Sequence, residues 1–305
     1  MREEIIKVLF YNKFWFQDNP DSKMPSHPDF RFFFAENNIH EVDAVVFHIP
    51  TLELVPEELK TLKRNKNQLW VYLCMECEAH YPEFQTHEIM SLFDLTVTYR
   101  TDADVPVPYI CSFRNVNWRH PPAQKTAFIN AFFSSRWDKS GRYHFLSEMI
   151  SLLGIDSFGK IFNNIPREKD PYFKSGFNAE SFNFKNDVIP KYKFTLAFEN
   201  ARAKDYVTEK FFQPLLLGSV PVYLGAPNVD DFTPGDHCYI NVDSFSSVSE
   251  LANCLTTLNN DDELYNEYFN WKKLPFKAGF ESKLNLFSTS GAIDELISAI
   301  RKKLC

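Results

Sequence analysis

The sequence has little of what marks the special classes of protein. Its 305 residues include only 9 glycines, which excludes a collagen-like or low-complexity chain. Its six cysteines are too sparse for a disulfide scaffold, so we expect free thiols in a reducing compartment. The pair Cys74 and Cys77 lacks the second cysteine or histidine pair that a zinc site usually has. An apolar run of about 18 residues, the length that crosses a membrane, is also missing.

Positive charge is in deficit as well. The chain has 33 lysines and arginines against 40 aspartates and glutamates, a formal net charge of −7. Such a protein has no basic face to offer a phosphate backbone, so we expect no nucleic acid among its partners. Residues 1–7 are charged from the second position on, which is not the pattern of a signal peptide. Residues 301–303 are basic, but so short a cluster supports at most peripheral membrane contact.

Short apolar runs alternate with helical segments in both halves of the chain. This pattern is typical of strands that are buried on both faces of a parallel sheet. Strands are predicted over residues 5–11, 44–49, 69–74, 95–99, 127–133, 155–158, 193–198, 220–224 and 239–242. Helices are predicted over residues 57–66, 141–153, 208–217, 247–258, 261–273 and 292–303. Within the third helix Pro214 predicts a kink or a late start.

The polar residues 111–125, which include a Pro-Pro pair, are interpreted as a linker between two domains. The fold class is therefore α/β, with two Rossmann-like doubly wound domains over residues 1–120 and 121–305. Ligands of such sheets bind at the carboxyl ends of the strands. The cleft between the domains is accordingly the expected active site.

The segment that follows the strand at 193–198 has the residues of a phosphate site. Glu199 and Asn200 stand at the carboxyl end of the strand, and Thr208 can cap the next helix through its hydroxyl. Glu209 and Lys210 lie in the first turn of that helix. A helix start beside a lysine suits a diphosphate, and a carboxylate there can accept two sugar hydroxyls. The alternative is a capped helix with a solvated Glu-Lys pair.

This segment resembles the signature of the α1,3-fucosyltransferases, glycosyltransferase family 10. The resemblance rests on Phe-Glu-Asn at 198–200, Asp-Tyr-Val-Thr-Glu-Lys at 205–210 and Gly-Ser-Val-Pro-Val-Tyr-Leu-Gly-Ala-Pro at 218–227. Shorter blocks at 44–48, 95–109, 134–149 and 269–273 also resemble the family. The resemblance implies a GT-B fold with an acceptor-binding domain, which carries the base, and a GDP-fucose-binding domain that ends in C-terminal helices. It also implies inverting transfer of L-fucose to the 3-hydroxyl of GlcNAc in LacNAc-type acceptors, with a Lewis X-like product.

The resemblance assigns the catalytic base to the loop after the strand at 69–74. An acceptor hydroxyl attacks poorly unless a base takes its proton, and a carboxylate at a strand end can do so. The family has Glu-Ser-Pro-x-His here, which places Glu76 in the role of the base. The chain departs from that pattern with Cys77 and Glu78, so Glu78 is an alternative on the acceptor side. His80 is expected to order the loop.

Donor residues follow from the same alignment. Arg142 and Lys210 would contact the diphosphate, Glu209 would hold donor hydroxyls, and Asn200 and Tyr206 would shape the site. These cations and the helix start can replace a metal, so no cofactor is expected beyond the donor GDP-fucose.

Alternatives remain for the metal, the function and the compartment. Asp102 and Asp104 form a DxD pattern, which is either a metal site or a structural turn. The alternative functions are a non-catalytic carbohydrate-binding protein and a GT-B enzyme with another nucleotide sugar. The localisation implied is the cytoplasm, or else the Golgi lumen if the chain is a trimmed catalytic domain. The preference for α1,3 or α1,4 linkage and the oligomeric state stay open.

Overall fold

A computed structural model describes residues 5–13, 27–34, 39–170, 179–287 and 291–304. The chain divides into two compact units. The first unit contains residues 1–108 together with 287–305, and the second contains residues 109–286. The predicted boundary at residue 120 is therefore about a dozen residues too late. The last helix, predicted as part of the second domain, belongs to the first unit.

Each unit is built on one parallel sheet. The sheet of the first unit has the strand order β2-β1-β3-β4-β5-β6, and that of the second has the order β11-β10-β9-β7-β8. The strands are β1 (Ile6–Phe10), β2 (Phe30–Phe34), β3 (Ala44–His48), β4 (Leu69–Cys74), β5 (Leu95–Thr98), β6 (Val105–Pro106), β7 (Ala127–Phe132), β8 (Ile155–Phe158), β9 (Tyr192–Phe198), β10 (Val220–Leu224) and β11 (Ile240–Asn241).

The described helices flank these sheets. They are α1 (Pro56–Thr61), α2 (His87–Met90), α3 (Arg142–Leu152), α4 (Ala179–Val188), α5 (Glu209–Leu217), α6 (Val248–Asn260), α7 (Asp262–Glu267), α8 (Ala278–Leu284) and α9 (Ala292–Leu304). None of the helices within the described ranges is long and apolar enough to cross a membrane.

The central strands are apolar throughout because both faces of each sheet are covered. In β3, Ala44 and Val46 pack into one hydrophobic cluster, while Val45 and Phe47 pack into another on the opposite face. Side chains alternate between the faces of a strand, so a continuous apolar run is what two covered faces require. This is the physical basis of the strand predictions, which agree with the structure to within one or two residues at each end.

Helix α9 explains the correction of the domain boundary. Its residues Leu296, Ile297 and Ile300 are buried in the cluster that covers one face of the first sheet. Arg301 also pairs with Asp29 of the first unit at 2.6 Å. The apolar stripe of an amphipathic helix packs on whichever sheet offers an uncovered face, and the sequence of the helix alone does not name that sheet.

Residues 111–125 are not a linker between the units. They belong to the second unit, where Phe113 and Trp118 lie in a cluster with residues of α5. The indole of Trp118 donates to the backbone oxygen of Phe113 at 3.0 Å. The segment has the polar and proline-rich composition of a linker, but its few large side chains anchor it in the core.

Other predictions differ in detail. Strands β2 and β6 and helices α2, α4 and α8 lie outside the predicted elements. β6 and α2 are only two and four residues long, and the apolar residues of the other three follow neither a clear alternation nor a helical period. The helix predicted over 261–273 is divided into α7 and a 3₁₀ turn at Asn270–Lys273. Helix α5 starts at Glu209 and continues through Pro214 to Gly218, whose φ of +75° ends it in the left-handed conformation. The late start that Pro214 suggested therefore does not occur.

Candidate active site

The end of β9 and the start of α5 are joined by a buried carboxylate. Glu199 follows directly after β9 and has no solvent exposure. One of its oxygens accepts the backbone N–H of Thr208 at 2.7 Å, and the other accepts the Thr208 hydroxyl at 2.8 Å. Thr208 in turn caps α5, as predicted, by accepting the backbone N–H of Lys210 at 3.4 Å. The position of the helix start is thus fixed by Glu199.

The ammonium group of Lys210 lies among three side-chain oxygens. Its Nζ atom is 3.0 Å from Thr208 Oγ1, 3.4 Å from Glu199 Oε2 and 3.3 Å from Glu209 Oε1. With both carboxylates ionised, the group of Glu199, Glu209 and Lys210 has a net charge of −1, because one ammonium faces two carboxylates. The predicted solvated Glu-Lys pair is therefore only part of a larger and mostly buried cluster.

The two carboxylates differ in their electrostatic environment. Burial raises the pKa of Glu199, although the charge of Lys210 acts in the opposite direction. Burial also acts to raise the pKa of Glu209, but the charges of Lys210 and Lys185 prevail and lower it. Glu209 is consequently the member of the pair that stays ionised most readily, and its side chain keeps about a quarter of its surface exposed.

Asn200 and Tyr206, both predicted at the donor site, are buried beside this cluster. The backbone oxygen of Asn200 accepts the N–H of Lys139 at 2.7 Å, and its side-chain Oδ1 is buried without a hydrogen-bond partner among the described residues. A ligand hydroxyl could satisfy such an atom. The ring of Tyr206 is covered and meets that of Tyr109 edge-on, with centroids 6.2 Å apart.

Arg142 starts α3, as predicted, but its side chain is only 1% exposed. Its guanidinium donates to the backbone oxygens of Ser135 at 2.9 Å, Trp137 at 2.8 Å and Phe198 at 3.4 Å. The carboxylate of Asp138 accepts the first two N–H groups of α3, those of Arg142 and Tyr143. This helix start therefore already holds an anion, and Arg142 connects the loop after β7 to the end of β9.

The three predicted acceptor-side residues lie in the loop after β4, in the first unit. Both oxygens of Glu78 are engaged, since one accepts the hydroxyl of Tyr99 and the other pairs with Arg100 at 3.2 Å. Glu76 is partly exposed and, with Glu78, lines a cavity of about 200 Å³. His80 ends a short turn in which its backbone N–H donates to the oxygen of Cys77 at 3.0 Å.

The residues that were considered for a metal site have structural surroundings. Cys74 and Cys77 are buried free thiols, and burial raises their pKa values to about 12 and about 11. They are thus poor thiolate donors at neutral pH. Asp102 forms two 2.8 Å contacts with Arg100, and Asp104 accepts the backbone and hydroxyl groups of Thr96 at 2.8 Å. Both carboxylates serve the turn in which they lie.

Comparison with known families decides the relationship. The family model described as "Glycosyltransferase family 10 (fucosyltransferase) C-term" matches residues 122–298, and "Fucosyltransferase, N-terminal" matches residues 3–110. The chain belongs to glycosyltransferase family 10. The resemblance seen in the sequence motifs is thereby confirmed.

Among the family's characterised members, 4-galactosyl-N-acetylglucosaminide 3-alpha-L-fucosyltransferase 9 of Mus musculus is 33% identical over 238 residues, which cover 75% of this chain and 60% of that protein. GDP-fucose protein O-fucosyltransferase 3 of Xenopus tropicalis is 30% identical over 225 residues, which cover 69% of this chain and 46% of that protein. The chain thus spans about 60% of the length of the first of these relatives.

Solved structures titled alpha1,3-fucosyltransferase share the fold. One has a TM-score of 0.64 at 17% identity and covers 99% of this chain and 91% of that one. A second, with GDP-fucose, has a TM-score of 0.58 at 15% identity and covers 100% and 91%. The GT-B fold class implied by the family resemblance is therefore confirmed.

Two residues of this family 10 chain, Glu199 and Arg100, hold candidate site residues in place although the sequence analysis gave neither a role. Glu199 stands in the Phe-Glu-Asn motif, yet motif reading gave a role only to its neighbour Asn200. The available signal was its place between a fully buried strand and a helix cap. Arg100 follows β5 and holds both Glu78 and Asp102. No spacing in the sequence links it to Glu78, which lies 22 positions earlier.

Proposed function

We propose that the chain transfers fucose from GDP-fucose to an acceptor hydroxyl, as an inverting enzyme. The observation that carries the proposal is the start of α5, where Thr208 caps the helix and Lys210 is held beside it in a family 10 chain. A helix start with an adjacent ammonium favours the diphosphate of a nucleotide sugar. Relatives named for fucose transfer support fucose as the sugar.

Glu76 serves as the general base in this proposal. It takes the proton of the acceptor hydroxyl while the oxygen attacks the anomeric carbon, and GDP leaves with the electron pair of the broken bond. Because GDP-fucose is β-linked, a single displacement gives an α-fucoside. Glu78 is the weaker candidate, since Tyr99 and Arg100 already occupy its oxygens and leave them less accessible to an acceptor hydroxyl.

The donor-side residues divide the remaining work. Lys210 and the N–H groups at the start of α5 offset the charge that grows on the departing GDP. Glu209 accepts hydroxyls of the donor, and the Oδ1 atom of Asn200 accepts one more. The buried ring of Tyr206 packs behind these residues and shapes the donor site. With charge offset supplied by the protein, the reaction requires no divalent metal.

Arg142 has two competing roles. Its contacts with three backbone oxygens favour a role in holding the loop that surrounds the donor. The family resemblance instead makes it a direct phosphate ligand.

The acceptor that we propose is the 3-hydroxyl of GlcNAc in a LacNAc-type glycan, with a Lewis X-like product. The names of several relatives specify a galactosyl-N-acetylglucosaminide. A second candidate is a hydroxyl of a protein, because another relative is named a protein O-fucosyltransferase.

We place the enzyme in the cytoplasm because the five cysteines that the structure describes are free thiols. The sixth, Cys305, lies outside the described residues. The Golgi lumen is the alternative.

One experiment tests the activity. The purified chain is incubated with GDP-fucose and LacNAc, lacto-N-biose or a protein acceptor, and the linkage of any product is determined by NMR. A parallel panel replaces the donor with GDP-mannose or UDP-galactose. We expect an α1,3-fucosylated LacNAc. Transfer from another donor alone, or glycan binding without turnover in every arm, would contradict the proposal and favour one of the alternatives named above.

A further inference from the structure

We propose that Glu199 is a positioning residue, which holds the ammonium of Lys210 where it can contact the donor diphosphate. The inference rests on the proposed function, because it assigns a supporting role within the same donor site. It is carried by a fully buried carboxylate that contacts both the helix cap Thr208 and the lysine.

The contacts of Lys210 show why a second carboxylate is needed. An ammonium group has three N–H bonds, and three side-chain oxygens lie within 3.4 Å of this one. Two of these oxygens, from Thr208 and Glu199, are buried and fixed by each other. The third belongs to Glu209, which keeps about a quarter of its side-chain surface exposed and, in this proposal, turns towards the hydroxyls of a donor. When it does so, one N–H of Lys210 becomes available to a phosphate oxygen, while Glu199 and Thr208 still hold the ammonium in place.

Gly225 fixes Glu199 from the other side. A Cβ atom at this position would lie 2.6 Å from Cγ of Glu199 and would also overlap the hydroxyl of Tyr223. Only a glycine allows the carboxylate to lie so close to the backbone after β10. The Tyr223 hydroxyl is itself held, because it accepts the N–H of Ala226 at 2.9 Å. Glu199 is thus packed between a rigid strand end and the helix cap, so it can transmit a fixed position to Lys210.

Stability alone gives no reason for this arrangement. A fully buried carboxylate pays a desolvation penalty that its ion pair need not recover, and apolar packing is often at least as stable. A carboxylate in such a place, beside a lysine of the candidate site, is better explained by the geometry that it imposes.

The substitution Glu199→Gln separates the two contacts of Glu199. The amide oxygen can still accept the N–H of Thr208, and the amide N–H can donate to the Thr208 hydroxyl in place of the ammonium of Lys210, which leaves one lone pair of that hydroxyl for the backbone N–H that it caps. The amide nitrogen cannot accept from Lys210. We expect GDP to bind at least tenfold more weakly by calorimetry, and kcat/KM for GDP-fucose to fall at least tenfold. Guanosine, which lacks the diphosphate, should bind within twofold of wild type.

A double-mutant cycle shows whether Glu199 acts through Lys210. In a Lys210→Ala background, adding Glu199→Gln should change GDP affinity by less than twofold, because no ammonium remains to be positioned. Asp261→Asn is the matched control. Asp261 is a carboxylate that caps another helix of the same unit, α7, and asparagine is an equally good cap. Its GDP affinity should equal that of wild type.

The outcomes distinguish this inference from the proposed function. If Lys210→Ala leaves GDP affinity unchanged, the donor site is misassigned, and the observation at the start of α5 no longer supports the proposed function. If Lys210→Ala weakens GDP but Glu199→Gln does not, only the role of Glu199 is refuted. An equal loss of guanosine binding, or fully additive effects in the cycle, would also refute it. Should Glu199→Gln fail to fold, Glu199→Asp replaces it, since the shorter side chain keeps the charge but withdraws the carboxylate from Lys210. The same loss of GDP affinity, again absent in the Lys210→Ala background, is expected.

Discussion

Substitution of Arg142 distinguishes a structural arginine from a phosphate ligand. Two of its hydrogen bonds to backbone oxygens are short, at 2.8 and 2.9 Å, and a third is 3.4 Å long. Hydrogen bonds from a charged group contribute about 1.5–3 kcal/mol each, so the two short ones stabilise the fold by about 3–6 kcal/mol. Arg142→Ala should therefore lower the free energy of unfolding by about 4 kcal/mol. Arg142→Lys, which keeps the charge but not the planar fork, should lower it by about 2 kcal/mol.

The assay combines unfolding with ligand binding. The free energy of unfolding is measured in urea for wild type and both variants, and GDP affinity is measured by calorimetry at a temperature where each is folded. The exposed Arg136 of the same loop is the matched control, and Arg136→Ala should change stability by less than about 0.5 kcal/mol. Since a domain is stable by only about 5–15 kcal/mol, the loss in Arg142→Ala should be plain.

The GDP affinity of Arg142→Lys provides a second test. A folded lysine variant should bind GDP within about threefold of wild type, because the backbone oxygens rather than a phosphate are the partners that it loses. A structural role for Arg142 is refuted if stability is unchanged in both variants while GDP affinity falls tenfold or more. The family-based assignment to the diphosphate would then hold.

Three other predictions concern the base, the metal and pH. Glu76→Gln should reduce the rate of transfer by about 10²–10⁴-fold with GDP affinity unchanged, whereas Glu78→Gln should reduce it less than tenfold; the reverse order would identify Glu78 as the base. Activity should survive dialysis against EDTA. A complete loss that Mn²⁺ restores would contradict this and favour a metal site at Asp102 and Asp104. Burial lowers the pKa of Lys272 to about 8, so the unfolded chain binds more protons above pH 8 and stability should rise with pH. Between pH 7 and 9 this residue should add about 1 kcal/mol to the free energy of unfolding in urea, and a Lys272→Met variant that shows the same rise would contradict the argument.

The sequence was sufficient for most of the strands and for the two ends of helix α5. Continuous apolar runs such as residues 69–74 and 220–224 predicted strands whose bounds the structure reproduces. Thr208 and Gly218 predicted the two ends of α5 from capping chemistry alone. These inferences succeed because they depend on local backbone geometry and on burial of both sheet faces.

The sequence did not predict where long side chains point, or which sheet an amphipathic helix packs on. Arg142 was predicted at the start of a helix and is there, yet its guanidinium turns into the protein, towards carbonyl groups that come from three separate positions. Helix α9 was predicted almost to the residue, but not the sheet that it covers. The packing of α9 and the contact of Arg142 with Phe198 depend on residues far apart in the chain, which no local pattern encodes.

The charge balance of the donor site follows from the same contacts. A protein of net charge −7 that binds a diphosphate must offset the charge locally. Lys210 alone cannot do so, because Glu199 and Glu209 already outnumber it, although the charge of Lys185 also acts on Glu209. The N–H groups at the start of α5 supply fixed dipoles, and the departure of Glu209 towards donor hydroxyls leaves one ammonium facing one buried carboxylate, a neutral pair. Binding of the sugar hydroxyls and of the diphosphate is then mutually dependent. An inorganic diphosphate, which lacks the ribose and fucose hydroxyls that can engage Glu209, would leave the lysine paired, so in the proposed site the smallest ligand that fits this arrangement is a nucleoside diphosphate such as GDP.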